Sequence, residues 1–187
     1  SDRLLAAMSS KSSSNAEKYL RQMDVDIQLN TRLLDYDGRI ASLSDGTHLA
    51  TRSLIWVSGV SASEIKYIDG DHLGRGKRII VDDFNRIIGL EDVFCIGDQS
   101  IQTTDSNYPN GHPQLAQVAI QQARNLAKNL KRSSQESLTP FKYRDFGSMA
   151  TVGRRRAVAD IGGQTLGGWF AWYMWLVVHL KSILGVR

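Results

Sequence analysis

The strongest constraint on this chain lies in Val93-Phe94-Cys95-Ile96-Gly97-Asp98 and the segment that follows it from His112. An apolar, strand-type run stops at a Gly-Asp pair, a polar loop from Gln99 to Gly111 intervenes, and Pro113 opens a long helical pattern. Pro is suited to a first helical turn. Ala116, Ala119, Ile120, Ala123, Leu126, Ala127 and Leu130 then keep a 3.6-residue period up to Lys131. A carboxylate and a helix N-terminus are thereby delivered close together, an arrangement suited to a polar, partly anionic ligand. Asp98 has two readings, a strand-end aspartate capping its own turn or a ligand to the hydroxyls of a bound cofactor, and the strand-loop-helix setting favours the second.

Before that feature the pattern alternates between helix and strand. Ala16, Tyr19, Leu20 and Met23 fall at helical spacing behind a Ser-rich start, and Asp24 to Leu29 alternates polar and apolar as a half-buried strand does. Asp37-Gly38 and Asp45-Gly46 are turn pairs between Leu33–Tyr36, Arg39–Leu43 and Thr47–Thr51, which predicts a small antiparallel excursion. Ser53 to Gly59 is nearly all apolar and ends in glycine, the pattern of a strand buried on both faces of a parallel sheet. Val60 to Arg78 reads as a crossing between lobes, Ile79–Asp82 with Arg86–Ile88 as a hairpin, and Val93–Ile96 as the next buried strand. Together these predict an α/β fold.

Beyond the linker Arg132–Leu138, Phe141–Tyr143, Ser148–Gly153 and Ala157–Ile161 read as short strands, and Gly162-Gly163 breaks the pattern. Leu166 to Leu180 carries no formal charge unless His179 is protonated, and holds Trp169, Trp172 and Trp175, three of the chain's four tryptophans. A spanning helix needs about 20 apolar residues. Flanked by Arg154–Arg156 on one side and Lys181 and Arg187 on the other, the segment suits a membrane surface better than a core or dimer helix.

Composition narrows the chemistry. At 187 residues with 42% hydrophobic content a real core is affordable, and the net charge of +4 is too scattered for a nucleic-acid partner. The single cysteine, Cys95, excludes an internal disulfide and a redox pair, and reads as a small buried hydrophobe. His48, His72, His112 and His179 show no ligand spacing, so no metal is expected. Nothing at the N-terminus has a signal pattern, so residence on the cytosolic side is expected. Gln114, Gln117 and Gln121 make an amide stripe on the helix; a solvated face is one reading, an orienting surface for an uncharged redox ring the other. Any redox chemistry here belongs to a cofactor.

Ile55-Trp56-Val57-Ser58-Gly59-Val60, Val93–Asp98, Ala116-Gln117-Val118-Ala119-Ile120-Gln121 and the tail from Gly147 through the Trp-rich segment resemble the type II NADH:quinone oxidoreductases, single-subunit flavoproteins with two dinucleotide-binding domains. The resemblance implies portions of two Rossmann-like lobes: 1–63 from the NAD(H)-binding lobe, 64–138 returning to the FAD-binding lobe, and 139–187 a small β segment with a helix for the membrane surface or a homodimer contact. It implies that Gly97 and Asp98 meet the flavin ribityl hydroxyls. Leu115 and Ala116 would face the pyrimidine end of the flavin, Gln117 and Gln121 would line the quinone approach, and Ser58 and Gly59 would lie near the nicotinamide nucleotide. Hydride would pass from NADH to FAD and electrons to a membrane quinone, without ion pumping, in a peripheral enzyme on the cytoplasmic face of the inner (plasma) membrane. The family carries two GxGxxG fingerprints and this chain has neither, so it resembles the carboxyl-terminal part of a longer protein and is expected to hold FAD and NAD(H) weakly when isolated. Sulfide:quinone oxidoreductase and thioredoxin-reductase-like chemistry require redox cysteines that Cys95 alone cannot supply. A non-enzymatic membrane-docking or dimerisation module is the alternative from another class.

Overall fold

The computed structural model describes residues 1–68, 70–132 and 138–183. Its elements in chain order are α1 (Ser10–Arg21), β1 (Leu33–Tyr36), β2 (Ile40–Leu43), β3 (His48–Ala50), β4 (Ile79–Ile80), β5 (Ser100–Ile101), α2 (Ala116–Leu130), β6 (Ser148–Thr151), β7 (Ala157–Ile161), β8 (Gln164–Gly167) and α3 (Gly168–Ile183). The chain divides into two units, one of Ser1–Trp56 with Phe146–Arg187 and the other of Val57–Asp145.

In the first unit, β1, β2 and β3 form the expected antiparallel excursion, with Leu33 opposite Leu43 and Ile40 opposite Ala50. Its turns are set by local chemistry. Asp37 Oδ1 accepts from the N–H groups of Arg39 and Ile40, both at 2.7 Å, and Gly38 takes the left-handed conformation that a side chain resists.

A second meander, β6-β7-β8, holds the apolar centre of this unit. Gly162-Gly163, both at positive φ, form a two-residue hairpin turn rather than a break, so β8 follows where no strand was expected. Ala157, Ala159 and Ala171 are fully buried, with Met149, Ile161, Leu166 and Trp172 around them. Small residues on β7 let α3 lie close to the sheet.

Helix α1 closes the other side through Asp160. Ser9 caps the helix by accepting from the Ser12 N–H at 3.1 Å, and the Ser9 N–H (2.7 Å), Ser9 Oγ, Ser12 Oγ and Thr165 Oγ1 (each 2.8 Å) all donate to the Asp160 carboxylate. Burial alone raises the Asp160 carboxyl, but these donors outweigh it and hold it below the usual carboxylate range. The helix thus buries Ser12, Ser13 and Ala16 in place of the larger apolar side chains that its periodicity suggested.

The second unit is built on β4 and β5, which pair in parallel over a core of Ile79, Val81, Ile87 and Cys95. The hairpin expected at 79–88 survives as a single bridge between Val81 and Ile87. Its turn is held by Asp82 Oδ1, which accepts from the N–H groups of Phe84 and Arg86. The Cys95 thiol is pushed up by burial, the property of a packed and unreactive cysteine.

Several expected strands are absent. Asp24–Leu29 forms a turn and an irregular run, because the Val25 N–H goes back to the Leu20 carbonyl and closes the helix end. Val93–Ile96 contributes one bridge, Phe94 to Arg86, and buries only Cys95. Phe141–Tyr143 is an extended strap without a ladder. Ser53–Gly59 is extended but unpaired, and far from buried: Ile55 is 84% exposed and Val57 88%. A strand needs neighbours as well as apolar residues, and among the described residues this run has none.

Candidate functional site

Gly97 begins a single turn of 3-10 helix, Gly97–Gln99, and adopts φ +72°. Its N–H donates to Gln122 Oε1 at 2.6 Å, and a Cβ at this position would stand 3.4 Å from the Ala119 Cβ. The chain therefore turns sharply against the first turns of α2, and the small residues on both sides set how close the two come. Gln114 Nε2 donates to the Asp98 carbonyl at 3.1 Å and Ser100 Oγ to the Gly97 carbonyl at 3.1 Å. With its backbone held at these points, Asp98 presents an exposed carboxylate that accepts no hydrogen bond among the described residues.

Leu115 caps α2 in an extended conformation with no side-chain cap, and its carbonyl accepts from the N–H groups of Val118 and Ala119. The opening N–H groups and partial positive charge of the helix thus stand beside the Gly97 turn. Gly97, Asp98, Leu115 and Ala116 are brought together as the sequence suggested. Pro113 lies before the helix and not within it.

Ser58 and Gly59 are not part of this cluster. They lie on the exposed run, Gly59 at φ +81° with open space where a Cβ would be, and the link nearby is Gln99 Nε2 donating to the Ser63 carbonyl at 2.6 Å.

Part of the amide face of α2 is engaged by the backbone of a neighbouring segment. Gln121 donates to the Arg144 carbonyl at 2.9 Å and accepts from the Arg144 N–H at 3.1 Å; Asn125 donates to the Thr139 carbonyl, and Asn129 both donates to it and accepts from the Thr139 N–H. The stripe fastens the strap 139–144 along the helix. Val118, Gln122 and Asn129 are buried, while Ile120 and Leu130 are exposed, so the helix faces the protein with amides as well as an apolar side chain.

Three residues of this region carried no signal in the sequence. Gln122 orients the Gly97 turn. His112 is buried in a ring cluster, Tyr108 at 5.1 Å, Phe141 at 5.3 Å and Tyr143 at 5.7 Å between centroids, and pairs through Nε2 with Asp105 Oδ2 at 3.1 Å, which holds the Asp105 carboxyl low. Burial raises the Tyr143 phenol, so it stays protonated across the physiological range. Arg78, 8% exposed, lies beneath Gly111. Among the described residues no three His, Cys, Asp or Glu side chains converge as a metal site.

On α3, Trp169 is 61% exposed and Phe170, Tyr173, Val177, Val178, Leu180 and Ile183 are also exposed, whereas Trp172 and Trp175 are half-buried. The Trp169 and Tyr173 rings stack at 5.7 Å. No helix among the described residues is long and apolar enough to cross a membrane. Arg187, expected to flank this helix, lies outside the described residues.

The second unit thus sets a Gly-Asp turn beside a helix N-terminus in an α/β setting, and its family follows from its relatives. Residues 1–123 match the family described as pyridine nucleotide-disulphide oxidoreductase, and the chain belongs to it; residues 146–187 match the NDH2 C-terminal domain. Among its relatives, the type II NADH:quinone oxidoreductase NdhA of Mycobacterium tuberculosis is 34% identical over 98% of this chain and 41% of its own length. The internal alternative NAD(P)H-ubiquinone oxidoreductase A1 of Arabidopsis thaliana mitochondria is 30% identical over 78% of this chain and 32% of its own. Among solved structures, NDH2 from Plasmodium falciparum in complex with NADH superposes with a TM-score of 0.82 at 17% identity, covering 96% of this chain and 52% of that one. The chain thus spans less than half the length of these curated relatives, and they bear the name that the sequence resemblance suggested.

Proposed function

We infer that this chain carries the flavin floor and the quinone approach of an NADH:quinone oxidoreductase. The observation that carries the reading is the Gly97 turn locked to Gln122, which leaves an exposed Asp98 carboxylate, accepting no hydrogen bond among the described residues, beside the N-terminus of α2. A carboxylate so placed accepts hydrogen bonds from vicinal hydroxyls, and a helix N-terminus favours an electron-rich ring edge, so the residues present fit the ribityl and pyrimidine parts of FAD. A bound flavin supplies the redox chemistry, accepting hydride from NADH and delivering electrons to a quinone without ion pumping.

The residues of the chain position these partners. Asp98 with the Gly97 backbone orients the ribityl hydroxyls, and the Leu115–Ala116 backbone faces the ring. Gln117 and Gln121 line the quinone approach, Gln121 with its amide engaged by the Arg144 backbone. Ser58 and Gly59 serve the nicotinamide nucleotide. In this reading 1–63 belongs to the NAD(H) lobe, 64–138 to the FAD lobe and 139–187 to the membrane segment, where Trp169, Trp172 and Trp175 set the depth of α3 at the cytoplasmic face of the membrane. The exposed apolar side of that helix supports surface docking, and a homodimer contact is its second use.

The test separates the two half-reactions. In the intact protein Gln117→Ala should slow reoxidation of the flavin by quinone about 10-fold or more while leaving its reduction by NADH within about 2-fold, as expected for loss of one contact made only to the second substrate. Equal loss in both half-reactions would remove the quinone role from Gln117.

A further inference from the structure

Arg78 is a buried cation that makes no ion pair among the described residues. Its guanidinium is 8% exposed, its Nε has no hydrogen-bond acceptor, and no described carboxylate forms an ion pair with it. Burying an arginine in this state is unfavourable unless an anion completes it. The backbone at this position is held, the Arg78 carbonyl accepting from the Gly74 N–H at 2.7 Å.

A glycine, Gly111, lies close beside it. A Cβ on Gly111 would stand 2.5 Å from Ile101 Cγ1 and 3.6 Å from Arg78 Nη1, and Gly111 has φ +86°. A Cβ there would collide with Ile101 and come to contact distance of the guanidinium, which places Arg78 against the loop that leads into α2. Asp98 is the carboxylate whose charge acts on Arg78, so the guanidinium belongs to the same region as that exposed group. One group there accepts from hydroxyls, and the other offers the rigid fork of donors that matches a phosphate.

We propose that Arg78 binds the phosphate attached to the ribityl chain of the flavin, making the Gly97–Asp98 turn and Arg78 together a polyol-phosphate site. This rests on the flavin reading above and deepens it. Asp98 recognises what riboflavin, FMN and FAD share, while Arg78 recognises what only FMN and FAD carry.

Binding of the three flavins to the intact, flavin-stripped protein tests this, with Arg78→Met, Arg78→Gln and Arg78→Lys compared by quenching of flavin fluorescence. Loss of a charge-assisted contact should weaken FMN and FAD by about 10- to 100-fold in the Met and Gln variants and leave riboflavin within about 2-fold. Lys, which keeps the charge but loses the fork, should recover part of the loss. Circular dichroism and thermal unfolding identify any variant that fails to fold, and the Lys variant then decides: lower FAD affinity with unchanged riboflavin supports the phosphate contact, and native affinity for both overturns it. Equal weakening of all three flavins, or of none, also overturns it while leaving the flavin reading in place. Native protein that binds none of the three overturns both.

Discussion

Gln122 shows how much a single buried amide decides here. It is 2% exposed and supplies the acceptor for the Gly97 N–H at 2.6 Å. Replacing it with Leu strands that donor and should cost about 1–3 kcal/mol, measured by chemical denaturation, with Gln122→Glu, which keeps an acceptor, costing less. Asp160 makes a prediction in pH. Its carboxyl is held low in the folded chain, so its contribution is complete above the unfolded carboxyl value of about 4 and is lost as pH falls through the folded value. Thermal unfolding should therefore decline below about pH 4. Asp160→Asn should lose on the order of 2 kcal/mol at neutral pH and show a flatter acid limb. An acid limb unchanged by the substitution would assign the decline to other carboxylates.

Among the elements, those set by adjacent residues were legible and those set by distant ones were not. Asp37-Gly38 and Asp45-Gly46 carry their turn chemistry in the residues themselves, whereas the Gly162-Gly163 turn, read as a break, needed β7 and β8 around it. The runs 24–29, 53–59 and 93–96 have the composition of strands, but a ladder also needs a partner, which no single segment specifies. The orientation of α2 was hidden for the same reason. Its amides bond to the backbone of Thr139 and Arg144, and a strap that far along the chain leaves no mark on helical periodicity. The Gly97–Asp98 turn could be read because glycine, carboxylate and helix start lie within one short stretch, whereas Arg78 takes its meaning from burial alone. For α3, the side that carries Trp169 and Phe170 is separate from Ala171, which packs in the core. Trp169→Ser with Phe170→Ser should thus leave the fold intact and weaken partition onto anionic vesicles about 10-fold or more, measured by co-sedimentation. Unaltered partition would place the membrane contact elsewhere.

At the scale of the whole molecule, the proposed ribityl side of a flavin site occurs in these 187 residues without a GxGxxG fingerprint for the pyrophosphate. These 187 residues alone should therefore purify with little flavin absorbance, and a stoichiometric yellow preparation would show that the Gly97–Asp98 turn suffices without that fingerprint. The run around Ile55 and Val57 is exposed, and an apolar stretch of this kind marks an interaction surface.

Strand β8 ends at Gly167 and α3 begins at Gly168, with no residue between them, and a bridge from Ala157 to Gly168 ties the junction to β7. A helix mounted this way has no swivel. If α3 settles onto a lipid surface, its roll and tilt become those of the β6-β7-β8 sheet, so the bilayer acts on this unit as on a lever, setting its attitude as well as its location.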